Sequence, residues 1–206
     1  MNWLAHLYLA RYSDEALLGA LLGDFALGSS GLERFGRVEH REILLHRRID
    51  RFTDTHPVVT ALREAFPEGR RRYAGIVLDV HFDHLLASQW SRWTASDADA
   101  VSLDAFTSRV YTMLDTRVDD LPPRLHAIAP AMAARDWLGS YRERASVDRA
   151  VTRMATRLSR KGDRLIACLD DLERIESVAS AGFEKFFPAL VEFVDAQRRQ
   201  GSFGDA

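Results

Sequence analysis

Apolar residues recur at three- and four-residue spacing along nearly the whole chain, and hardly any stretch alternates with period two. The pattern therefore predicts helices almost throughout. Trp3 to Arg11 form a short apolar segment, and Ser13-Asp14 offer a start for a helix over Glu15 to Leu27. Gly28-Ser29-Ser30-Gly31 then breaks the chain. A helix from about Val38 to Phe52 should end near Thr53-Asp54-Thr55-His56-Pro57, and Pro57 suits the first turn of the next, Val58 to Phe66. Pro67-Glu68-Gly69 stops that helix. Arg71 to Trp93, with Ile76, Val77, Val80, Leu85 and Leu86 apolar, is the longest helix of the first half. Ser102-Leu103-Asp104 and Leu121-Pro122-Pro123 bracket another, and two or three more follow, with breaks near Ser140 to Ser146 and at Lys161-Gly162-Asp163. A carboxy-terminal helix pair carries Leu165, Ile166, Leu169, Leu172 and Ile175, then Phe183, Phe186, Phe187, Leu190 and Phe193.

No linker divides this pattern and no fixed-period repeat appears, so the expectation is one all-α domain over residues 1–200 with a disordered tail at 201–206. With 206 residues, 47% of them hydrophobic and 28% charged, the chain can bury a core without staples. The single cysteine, Cys168, excludes a disulfide framework and a thiolate zinc site. A net charge of -2 excludes a strongly basic nucleic-acid glove. The most apolar stretch, Ala16 to Leu27, is interrupted by Asp24, so no membrane span is expected. Met1-Asn2-Trp3 has no basic character and His6 interrupts the apolar stripe that follows, which argues against a secretory signal and for the cytoplasm.

The chemistry-bearing residues are concentrated. Six of the seven histidines precede residue 85, several beside aspartates at helical spacing. His46 and Asp50 stand four apart and project from one helix face; Asp54 extends that row if the helix persists, or caps a turn if it does not. Asp79 and Asp83 are also four apart, with His84 about 100° round from Asp83. Two like charges at that spacing weaken a helix by roughly 0.2–0.5 kcal/mol even when exposed, and burying a bare carboxylate costs far more. Asp24 and His6 pose the same problem in their apolar settings. Arginine partners would answer it, and a cation would too. Taken together, these residues match the oxygen and imidazole set preferred by magnesium, manganese or iron, and they point to a metal-dependent hydrolase. His40 lies in a charged, solvated run, and His126 and Cys168 have no ionisable company.

Four motifs carry a family resemblance: Asn2-Trp3-Leu4-Ala5-His6, Gly23-Asp24-Phe25, His46-Arg47-Arg48-Ile49-Asp50 and Leu78-Asp79-Val80-His81-Phe82-Asp83-His84. With them the chain resembles the bacterial acyl carrier protein phosphodiesterases, regarded as atypical HD-superfamily phosphohydrolases, over most of its length. The resemblance implies an HD-like helical fold and a divalent cation, usually manganese. It also implies hydrolysis of the phosphodiester that joins 4'-phosphopantetheine to a serine of holo acyl carrier protein. The ordinary HD signature has His before Asp, whereas here Asp83 precedes His84, so the superfamily's ligand roles do not transfer by position.

Phosphodiester hydrolysis needs cations against the non-bridging oxygens and an activated water. On that basis Asp24, His46, Asp50, Asp79 and Asp83 are the expected ligands of manganese, with magnesium or iron as alternatives. His84 or His6 is the expected proton carrier. Arg47 and Arg48 would clamp the phosphate, and Arg70-Arg71-Arg72 would steer the acidic carrier protein. Two other readings compete: an HD-type phosphohydrolase acting on a nucleotide or other small phosphate ester, and a non-catalytic helical binding protein whose acidic residues merely pair with arginines.

Overall fold

The periodic stripes fold as helices, and no strand forms among the described residues. The structure, a computed structural model, describes residues 1–25, 34–98, 100–158 and 161–200. The break expected at 28–31 and the tail expected at 201–206 lie outside them. α1 (Trp3–Leu9) and α2 (Asp14–Leu22) precede α3 (Arg37–Thr55) and α4 (Pro57–Glu64). Then come α5 (Arg71–Ser88), α6 (Trp90–Trp93), α7 (Leu103–Thr116), α8 (Pro123–Ala134), α9 (Ala145–Ala155) and α10 (Gly162–Gln200). Single 3-10 turns occupy Val118–Asp120 and Gly139–Arg142.

The starts follow local chemistry. The Ser13 hydroxyl accepts the Ala16 N–H at the head of α2, and Ser102 does the same for Ala105 at α7. α3 persists through Thr55, so Asp54 is helical and pairs with Arg63 at 3.4 Å, while His56 Nδ1 accepts the Val58 N–H and caps α4. The expected carboxy-terminal helix pair is one helix of 39 residues, about 58 Å long. Nothing between Ile175 and Phe183 caps or stops it, and Gly182 is tolerated there because a Cβ would press on Leu62 and Val58 of α4.

α5 runs through the interior, buried on nearly every side, with α10, α9, α1 and α4 packed around it. Its Phe82 lies 5.2 Å from the Phe183 ring, and Phe183 in turn stacks on Phe187 at 5.0 Å. Elsewhere, three buried carboxylates, Asp171, Glu39 and Glu42, are matched by arginine. Arg70 pairs with Asp171 at 2.7 Å, Arg117 with Glu39 at 3.0 Å and Arg198 with Glu42 at 2.7 Å. No helix among the described residues is long and apolar enough to cross a membrane.

Because Phe183 is fully buried and joins the aromatic row of α10 to α5, Phe183→Ala should lower unfolding stability by about 3–5 kcal/mol, read from urea denaturation.

Candidate metal centre

The site is built around α3, whose buried face carries His46 and Asp50 one turn apart. His46 Nδ1 donates to the Ala20 carbonyl at 2.7 Å, which orients the ring across the end of α2. Nε2 is thereby aimed at two carboxylates, 3.3 Å from Asp50 Oδ2 and 3.4 Å from Asp24 Oδ1. From α1, His6 stacks on His46 with ring centroids 3.7 Å apart, and its Nε2 lies 3.1 Å from Asp50 Oδ1. The other His6 nitrogen, Nδ1, is buried without a partner. From α5, Asp79 Oδ1 lies 3.2 Å from the Met1 amino group, which is also 3.5 Å from Asp50. One ligand atom each from His6, His46 and Asp50 fall within 4.8 Å of one another.

Two stacked imidazoles cannot both carry a proton comfortably, and the surroundings decide which one does. Burial opposes a charge on His46, but hydrogen bonds to Asp24 and Asp50 outweigh it and raise its pKa to about 9. Burial, joined by the charge on His46, pushes His6 down to about 4. Burial works to raise Asp50 and Asp24 too, yet the imidazole beside them holds both below the usual carboxylate range. Asp79 goes the other way: burial raises it, against the Met1 amino group.

Of the expected ligands, the structure brings Asp24, His46, Asp50 and Asp79 to one cleft and adds His6, which had been expected as a proton carrier. Asp83 is placed differently. Fully buried, it accepts the Leu4 N–H at 2.8 Å and the Ala5 N–H at 3.0 Å, so it caps α1 and does not face the imidazoles. Its burial, against these two donors, raises its carboxyl to about 7. His84 is turned toward the 139–142 segment, where its Nδ1 donates to the Tyr141 carbonyl at 2.8 Å.

The arginine expectations divide as well. Arg47 is exposed on α3 beside the ligand row, and Arg48 donates to Gln197 of α10 at 2.8 Å. Arg70 is tied to the buried Asp171 across α10, which withdraws it from a docking face. Arg71 donates to the Phe66 carbonyl and Arg72 to the Tyr73 hydroxyl, both about 10–12 Å along α5 from Asp79. Two contributors carried no assigned role in the sequence. Trp3, spaced three residues before His6 and hence on its face, donates to Asp24. Gly23 lies so close to the His46 ring that any Cβ would overlap it.

The family model described as acyl carrier protein phosphodiesterase matches residues 1–190. The acyl carrier protein phosphodiesterase of Serratia proteamaculans (strain 568) is 34% identical over 192 residues, 93% of this chain and 96% of that protein. That of Enterobacter sp. (strain 638) is 32% identical over 200 residues, 97% of this chain and 100% of the other. That of Escherichia coli O127:H6 is 34% identical, with 93% and 96% covered. No solved structure matches.

Asp83→Ala should strand two buried N–H groups and cost about 3 kcal/mol in urea unfolding, with amide exchange at Leu4 and Ala5 faster by about 100-fold. In metal-free protein, Gly23→Ala should push the His46 ring away from Asp24 and Asp50. Its titration, followed by NMR, should fall from about 9 toward an ordinary histidine value of about 6.5.

Proposed function

Since the chain belongs to the acyl carrier protein phosphodiesterase family, we propose that it is a metal-dependent phosphodiesterase that removes 4'-phosphopantetheine from holo acyl carrier protein, leaving the apo protein. The observation that carries this reading is the pairing at the cleft. The buried Asp171, Glu39 and Glu42 meet arginines, whereas the half-exposed Asp24 and Asp50 meet imidazoles. A merely structural acidic cluster in so arginine-rich a chain has the cheaper solution at hand. This favours a phosphohydrolase of HD type over a non-catalytic binding protein.

The donor set fits a divalent cation. His6, His46, Asp24 and Asp50 supply imidazole nitrogen and carboxylate oxygen, the chemistry that suits manganese, magnesium or iron, and manganese is the first choice. His46 has the orientation of a ligating imidazole, with Nδ1–H on a carbonyl and Nε2 toward the carboxylates. The unpartnered His6 Nδ1 and the depressed pKa of that ring keep a lone pair available at neutral pH. When bound, the cation supplies Lewis acidity toward the phosphodiester and acidifies a water.

The residues of the chain then divide the remaining work. Asp50 holds both imidazoles in register through its two oxygens. Asp79 faces the same cleft with a carboxyl raised by burial, which suits it to receive a proton as water adds at phosphorus. Arg47, exposed on α3 one turn from Asp50, is placed to meet the substrate phosphate. The acidic carrier protein would approach this rim in the cytoplasm.

Incubation of the protein with holo acyl carrier protein and manganese, followed by mass spectrometry of the carrier, tests the reading directly. The carrier should lose the phosphopantetheine mass, chelator should stop the loss, and Asp50→Ala should slow it by about 100-fold or more. An untouched carrier alongside hydrolysis of a nucleotide or other small phosphate ester would transfer the site to the small-substrate reading.

A further inference from the structure

Asp24 sits in the turn after α2 with its side chain 48% exposed. An exposed aspartate samples several rotamers, and fixing it in one costs entropy. One oxygen of Asp24 is nevertheless fixed. Trp3 donates its indole Nε1–H to Oδ2 at 2.6 Å, which leaves Oδ1 as the oxygen that faces His46 Nε2. The Trp3 ring rests against Phe25 with centroids 5.9 Å apart, so the indole is held from two sides. Its backbone is held too, because the amides of Leu4 and Ala5, directly after it, bond the buried Asp83. A chain of contacts thus runs from Asp83 through the first turn of α1 and the Trp3 indole to Asp24.

We propose that Trp3 is a positioning residue for the metal centre: by taking Oδ2 of Asp24 it presents Oδ1 to the cation beside His46. The inference rests on the metal-dependent reading above. A neutral N–H donor suits this task better than arginine or lysine. It orients the carboxylate and lowers its basicity only modestly, without placing a competing positive charge next to the cation.

The same bond makes Trp3 a reporter. Manganese is paramagnetic and quenches a nearby indole, and of the four tryptophans Trp3 is the one bonded to an expected ligand. Manganese is titrated into metal-free protein, with free ion followed by electron paramagnetic resonance and quenching by tryptophan fluorescence. The wild type should bind saturably and quench. Trp3→Phe keeps a ring against Phe25 but lacks the N–H; its manganese Kd should weaken by about 10-fold, with the metal-dependent quenching lost. Melting without metal serves as the control for folding. Asp24→Asn should weaken binding on its own, and adding Trp3→Phe to it should cost little more, because the two act through one bond. A wild-type Kd in Trp3→Phe, or full additivity with Asp24→Asn, overturns the positioning role while leaving the metal centre standing. A wild type that binds no manganese overturns the metal centre, and the role of Trp3 with it.

Discussion

A carboxylate with no solvent exposure, Asp83, holds the amino-terminal turn of the protein against its central helix. A seven-residue helix such as α1 is too short to be stable alone, and its first N–H groups have no partner within it. Asp83 supplies that partner from α5, where the positive end of the helix and two N–H donors offset only part of the cost of burying the carboxylate. Everything α1 contributes to the cleft depends on this anchor. His6 and Trp3 stand three residues apart on the same face, so fixing one turn places both.

Asp50 plays a comparable role nearer the surface. Its two oxygens meet two different histidines, and those histidines stack on each other. The contact forces an asymmetry: His46 carries the proton in the absence of metal, and His6 stays neutral. The arrangement needs close backbone approach as well as side-chain geometry. Gly23 lets the chain pass over the His46 ring, and at Gly19 a Cβ would strike the Glu39 backbone, which is how α2 and α3 come close enough for Ala20 to accept from His46.

The arginines explain why this cleft stands out from the rest of the interior. Lys161 and Lys185 are the only lysines, so nearly all positive charge here is guanidinium. Guanidinium forms forked pairs with buried carboxylates, as at Asp171, where Arg70 and Arg174 both bind, and at Glu42. These pairs tie α10 to α5 and α3. Against that background, carboxylates matched with imidazole and an amino group form a chemically separate region, suited to a cation from outside.

The sequence by itself determined whatever depends on neighbours along the chain. Helical periodicity gave the class of fold, serine and proline marked the starts of α2, α4 and α7, and the four-residue step put His46 and Asp50 on one face, because helix geometry is local. The same step puts Asp79 and Asp83 on one face and does not tell them apart. Both lie on one face of α5, but Asp79 meets Met1 and Asp83 meets the amides of α1, a distinction set by what packs opposite. The long α10 was expected as a pair, whereas one helix runs through, with Leu62 and Val58 of α4 packed against it at Gly182. The stacking of His6 on His46, the bond from Trp3 to Asp24 and the capture of Arg70 by Asp171 span 40, 21 and 101 residues. Contacts at that separation leave no periodic trace in a single sequence. They exist only once burial of the apolar faces has brought distant helices together, so tertiary structure alone decided them.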